Sequence, residues 1–186
     1  MEEKIILNFS KHFLENPYSE FYLREIAKKL KISVFSSKKY LDYFVKEKIL
    51  TERRQANLRY FKLNLSSVFV RHLKISYSLK IIEDSGMIPY LLEKIPSISS
   101  IVLFGSVSRG EDDKKSDVDI VVIGRTDTVH LGLHEFEKKI GRSINEHVFS
   151  WTKWKKQMKE NNAFYTDVII NGIPLYGELP LVQNGN

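Results

Sequence analysis

Ile101-Val-Leu-Phe-Gly-Ser-Val-Ser-Arg-Gly110 runs directly into Glu111-Asp-Asp-Lys-Lys-Ser-Asp-Val-Asp-Ile120. The first four residues read as an apolar strand that ends at Gly105-Ser106. Glycine has no side chain to keep backbone N–H groups away from an anion, and Ser106 adds a hydroxyl donor. Ten residues separate Ser106 from Asp117, and Asp119 follows two further on. Residues two apart in a strand face one side, so both carboxylates point to one place. Val118 and Ile120–Val122 anchor that strand. Two hard oxygen ligands side by side favour Mg²⁺ or Mn²⁺, with water and substrate phosphates completing the shell. Asp-x-Asp alone, or Gly-Ser alone, is most often a solvated loop. Here both sit at the ends of apolar strands, which gives a carboxylate pair no structural purpose.

The combination of Gly105-Ser106, ten intervening residues and Asp117-Val-Asp119 resembles the DNA polymerase β-like nucleotidyltransferase superfamily, in its minimal nucleotidyltransferase branch. Arg109-Gly110 and Ser116 resemble that branch too. The resemblance implies that Asp117 and Asp119 are catalytic metal ligands. It makes Gly105 and Ser106 nucleotide-phosphate contacts, joined by Arg109 and Ser116. The implied activity is transfer of a nucleoside monophosphate from an NTP, ATP first among them, to an acceptor hydroxyl or phosphate, with release of pyrophosphate. Members of the family often carry a third carboxylate on a later strand. The matching strand reads Ser143-Ile-Asn-Glu-His-Val148, which aligns Asn145 with that acid. Asn is no base. Glu146 is expected on the other face of the strand unless a bulge turns it inward, and His147 is a further substitute. The missing acid keeps an alternative open, a DNA-binding regulator whose second domain binds nucleotide without turnover. A third option is an antitoxin-like role on a partner protein.

Outward from this motif, helix and strand alternate. The pattern predicts a short helix over 90–94, strands over 100–104, 118–123 and 144–149, and a helix capped by Thr128 that stops at Gly141. A Lys-rich helix capped by Ser150 follows, with Trp151 and Trp154 on its core side. Next come a helix over 163–170 and a strand over 173–176. The expected domain spans 87–178, mixed helix and strand around a small sheet, with a flexible tail over 179–186.

The first half has a different rhythm. Ile5, Ile6, Phe9 and Phe13 mark a helix over 2–15, and a second helix is expected over 20–30. Ser33 caps a third helix, to about 47, that buries Ser37, Leu41, Phe44 and Val45. Two short strands then flank Gln55-Ala56-Asn57. Helix, helix, turn, helix and hairpin is the order of a winged helix-turn-helix, expected over 1–65. The fold class is therefore α+β, a winged helix-turn-helix followed by a small mixed-sheet nucleotidyltransferase-like domain. On the outward face of the third helix stand Ser33, Ser36, Lys38, Lys39 and Tyr40, and the hairpin adds Arg53, Arg54 and Arg59. These are the expected contacts to double-stranded DNA. A linker helix over 66–86 carries Val68, His72, Ile75, Leu79 and Ile82 as one stripe, open to packing within the chain or to a homodimer.

Charge supports a two-part chain. Residues 1–80 hold 17 Lys/Arg against 8 Asp/Glu, a net +9, whereas residues 81–186 hold 12 against 15, a net −3. The absence of cysteine excludes disulfides and thiolate metal sites. Apolar runs are too short for a bilayer and the acidic N-terminus has no following apolar stretch, so no membrane partner and a cytoplasmic location are expected.

Overall fold

The computed structural model describes residues 2–95, 97–125 and 131–182, with side chains from residue 9 onward. The Thr128 cap, the side chains of Ile5 and Ile6, and residues 183–186 lie outside the described residues. The chain divides into two compact units, residues 1–74 and 75–186.

The first unit begins with α1 (Glu2–Glu15), β1 (Phe21–Tyr22), α2 (Leu23–Leu30) and α3 (Val34–Lys46). The hairpin β2 (Leu50–Gln55) and β3 (Leu58–Leu63) follows. The expected start of the second helix is instead a strand. Phe21 and Tyr22 pair with Phe61 and Tyr60 of β3, giving an antiparallel sheet of order β1-β3-β2. Two aromatic residues suit a pleated edge better than a helix start. The hairpin turn is two residues, Ala56-Asn57, with Ala56 left-handed at φ 49°. Phe9, Phe13, Ile26, Leu41, Phe44 and Phe61 form the core. Tyr40, expected to face outward, is buried, and its ring lies 5.6 Å from that of Phe9. Conversely Phe35 is 81% exposed and Tyr43 51%.

Helix α4 (Val68–Ser85) contains the division between the units. Its buried stripe is Val70, Lys74, Ser78, Ile82 and Ser85. The expected stripe is thus displaced, with Val68 and His72 exposed. Three of the buried positions are polar, so apolar periodicity pointed to the neighbouring face.

In the second unit α5 (Met87–Lys94) leads to β4 (Ser100–Phe104), the short α6 (Gly105–Arg109) and β5 (Val118–Gly124). Then come α7 (His134–Ile140), β6 (Ile144–Ser150), α8 (Trp151–Glu160), α9 (Asn162–Asn171) and β7 (Ile173–Gly177). The sheet order is β6-β5-β4-β7; β5 and β6 are parallel and the other pairs antiparallel. Ile101, Leu103, Ile120 and Val122 face a core with Met87, Leu91 and Phe136. Val102, Phe104, Val121 and Ile123 face a second core with Trp154, Tyr165 and Val168. Helices on both faces explain why β4 and β5 read as unbroken apolar runs. Trp154 is fully buried and donates its indole N–H to the Pro180 carbonyl at 2.7 Å, while Trp151 is 39% exposed. Residues 179–182, expected as tail, pack here. Leu179 and Val182 join the second core, and the Val182 N–H donates to the Tyr165 hydroxyl.

Candidate functional site

The spacing of the motif follows from sheet register. Phe104, the last residue of β4, pairs with Asp119 of β5. The next residue, Gly105, therefore turns away beside the Asp119 carboxylate. Gly105 is left-handed at φ 73°, and a Cβ there would collide with that carboxylate. Both observations favour glycine, since any other residue would be strained there and would push the Asp119 carboxylate aside. The ten intervening residues hold one turn of helix and a return loop to the antiparallel strand. Gly110, left-handed at φ 68°, closes the helix and donates to the Val107 carbonyl.

That loop is braced from within. Asp112 is fully buried, and Arg142 donates to its carboxylate at 2.6 Å. Asp113 accepts from the backbone N–H groups of Lys115 and Ser116 at 2.8 and 3.0 Å. The Ser116 hydroxyl accepts from the Asp113 N–H at 2.9 Å. The Lys115 N–H first, and the Ser116 groups with it, hold the Asp113 carboxyl below its ordinary range. Ser116 thus closes the loop with the hydroxyl expected to meet nucleotide. Arg109 donates to Glu111 at 2.9 Å and to Asp167 at 3.0 Å, and these carboxylates raise its already high pKa.

Asp117 and Asp119 converge on Asn145. One Nδ2 donates to Asp119 Oδ1 at 3.0 Å and to Asp117 Oδ2 at 3.3 Å. Parallel pairing of β5 with β6 sets Asn145 opposite Asp119, and the register runs unshifted from Val118–Ile144 to Gly124–Ser150. The strand has no bulge to turn Glu146 inward. Glu146 alternates with Asn145 and lies on the face of Ile144 and Val148, which belong to the other core. His147 shares the face of Asn145, with its ring 5.8 Å from Phe104 and 5.2 Å from Phe164. Two carboxylates and one amide are all capable of hard oxygen donation. That donor set fits Mg²⁺ or Mn²⁺ completed by water and phosphate. Among the described residues no three His, Cys, Asp or Glu side chains group as a metal cage, so outside ligands would be needed.

Residues 85–168 match the family described as "Nucleotidyltransferase domain". The matched stretch contains Gly105, Ser106, Asp117, Asp119 and Asn145. Two solved structures are similar in part. One is a toxin–antitoxin crystal structure with AMP-PNP, at 23% identity over 49% of this chain and 70% of that one, TM-score 0.36. The other is a mutant of the toxin–antitoxin MntA–HpeT, at 21% identity over 51% and 72%, TM-score 0.38. No curated protein matches the chain. No helix among the described residues is long and apolar enough to cross a membrane.

In the first unit the expected DNA contacts separate into two kinds. Lys38 and Lys39 are exposed on α3. Ser33 caps α3 by accepting from the Ser36 N–H at 3.0 Å, and the two hydroxyls bond each other at 2.9 Å. The hairpin arginines are each paired with carboxylates. Arg53 meets Glu20 at 2.6 Å, Arg54 meets Glu52 at 2.9 Å, and Arg59 meets both Asp42 and Glu52 at 2.6 Å. Arg59 chiefly, with Arg54, pulls the Glu52 carboxyl down to about 2. Lys38, Arg54 and Arg59 line one open groove of about 490 Å³ with Leu23 and the hairpin turn. Sequence reasoning missed Asp112, Arg142 and Asp167. Arg142 and Asp112 lie 30 residues apart, and no local pattern links them.

Proposed function

We propose that the second unit is a metal-dependent nucleotidyltransferase. The observation that carries the reading is the convergence of Asp117 and Asp119 beside the Gly105 turn. Gly105 and Ser106 would hold the NTP phosphates through backbone N–H groups and one hydroxyl. Asp117 and Asp119 would hold Mg²⁺ or Mn²⁺, which when bound neutralises charge on the transferring phosphoryl group. In the transfer, an acceptor oxygen bonds to the α-phosphorus as the bond to pyrophosphate breaks. The acceptor proton would leave to solvent or to His147, which shares the face of Asn145; Asn145 itself has no basic atom and Glu146 faces away. Arg109 would reach phosphate by exchanging Glu111 or Asp167 for it.

The same asparagine favours a second reading, nucleotide binding without turnover. Incubation with labelled NTP, Mg²⁺ and cell lysate separates the two. Label transferred to a protein or a nucleic acid supports the enzyme and identifies the acceptor class. Tight Mg²⁺-dependent NTP binding with no transferred label supports the sensor.

For residues 1–74 we propose a winged helix-turn-helix that binds double-stranded DNA. Its support is the order of elements, the three-stranded sheet and the exposed lysines of α3. Lys38 and Lys39 are exposed on α3, and Lys38 lines a groove with Arg54 and Arg59 that would take the phosphate backbone.

A further inference from the structure

Asn145 does more than fill the place of an acid. Its Nδ2 carries two hydrogens, enough to donate one to each carboxylate. A neutral donor between two like charges relieves part of their repulsion. A cation held by the same two oxygens would displace both bonds. The amide has a second option, because its terminal torsion is broad and roughly two-fold. Turned over, it offers Oδ1, a hard oxygen ligand of the kind Mg²⁺ and Mn²⁺ prefer.

We infer that Asn145 is a two-position amide: it ties Asp117 to Asp119 through Nδ2 when they hold no cation and presents Oδ1 when they do. The inference rests on the proposed metal site. Its consequence is weak loading by the cation alone. Cation binding breaks two hydrogen bonds and gains no third negative charge. Phosphate oxygens supply that charge, so cation and nucleotide should load together. Asn145 is therefore a positioning residue that makes the carboxylate pair depend on nucleotide.

The test uses the full chain. The side-chain NH₂ resonances of Asn145 are assigned by their loss in Asn145→Asp and followed by NMR as Mg²⁺ and ATP are added. Mn²⁺ affinity without nucleotide is measured by calorimetry for wild type and Asn145→Asp. The expected result is a large shift of the amide pair on saturation with Mg²⁺ and ATP. Asn145→Asp should also bind Mn²⁺ about tenfold tighter, because ligand charge sets affinity. Circular dichroism confirms that the variant is folded. Cation binding that requires Asp117 and Asp119 but leaves the amide signals unmoved would overturn the inference and leave the site intact. Equal Mn²⁺ affinity in both proteins would overturn it too. No divalent-ion binding in either protein, with or without ATP, would remove the site and the inference together.

Discussion

The β2–β3 hairpin holds three arginines and the stretch 111–119 holds five carboxylates, and the fold uses the two sets differently. Each hairpin arginine is matched by a carboxylate from Glu20, Asp42 or Glu52. Of the five carboxylates, Glu111, Asp112 and Asp113 are engaged by Arg109, Arg142 and backbone N–H groups. Asp117 and Asp119 meet a neutral amide. A formal charge of +9 over residues 1–80 is therefore a poor measure of what a partner can reach. A formal −3 over the remainder conceals a concentrated acidic pair.

The sharpest way to break this contrast is to remove one cation from each region. Asp112 is fully buried and Arg142 is 10% exposed in its side chain. Arg142→Ala should destabilise the second unit by about 3–5 kcal/mol in denaturant unfolding, because it strips a buried carboxylate of its guanidinium. Arg53→Ala removes a pair that is 49% and 39% exposed, and should cost under about 1 kcal/mol. Equal losses would show that burial does not distinguish the two regions.

A smaller effect is expected at Gly105. Gly105→Ala adds a Cβ against Asp119 in a left-handed backbone. About 1–3 kcal/mol of strain is expected by thermal unfolding, and Mg²⁺-dependent NTP binding should weaken. Unchanged binding would mean that the Gly105 turn and the carboxylates do not act on nucleotide together.

Smaller again is the DNA contrast. Lys38→Ala should flatten the dependence of log Kd on log salt by about 1. Arg59→Ala should leave that slope nearly unchanged, since its guanidinium already serves Asp42 and Glu52. The reverse ranking, read by anisotropy titration on duplex DNA, would put the hairpin ahead of α3.

The smallest effect is a pH dependence. Glu52 is depressed in the folded chain from its ordinary 4.5 to about 2, mainly by Arg59. A depressed carboxyl stabilises fully above its unfolded value and loses that contribution as pH falls. Glu52→Gln should flatten the stability curve between about pH 4.5 and 2, followed by circular dichroism. An unchanged curve would mean that the hairpin pairs contribute nothing to the first unit.

Much of this was legible from residue order. The apolar runs of β4 and β5 are buried on both faces and the glycine that follows β4 is left-handed, so strand periodicity set Asp117 and Asp119 on one side of β5. Regular alternation along β6 likewise set Asn145 beside that pair and turned Glu146 away. Features fixed by distant partners were not legible. Asp112 looks like part of a solvated acidic run until Arg142 reaches it. Phe21 and Tyr22 read as a helix start because their strand partner lies about forty residues on. The buried stripe of α4 was misread because Lys74, Ser78 and Ser85 lie on it.

The central claim is that Asp117 and Asp119 form a metal-dependent nucleotide site. Calorimetric titration with ATP, with and without Mg²⁺, on wild type and on Asp117→Asn with Asp119→Asn tests it directly. Wild type should bind ATP at least tenfold tighter with Mg²⁺, a coupling of about 1.4 kcal/mol or more. The double variant should keep its fold and lose the Mg²⁺ dependence. Equal ATP affinity in all four titrations would contradict the account.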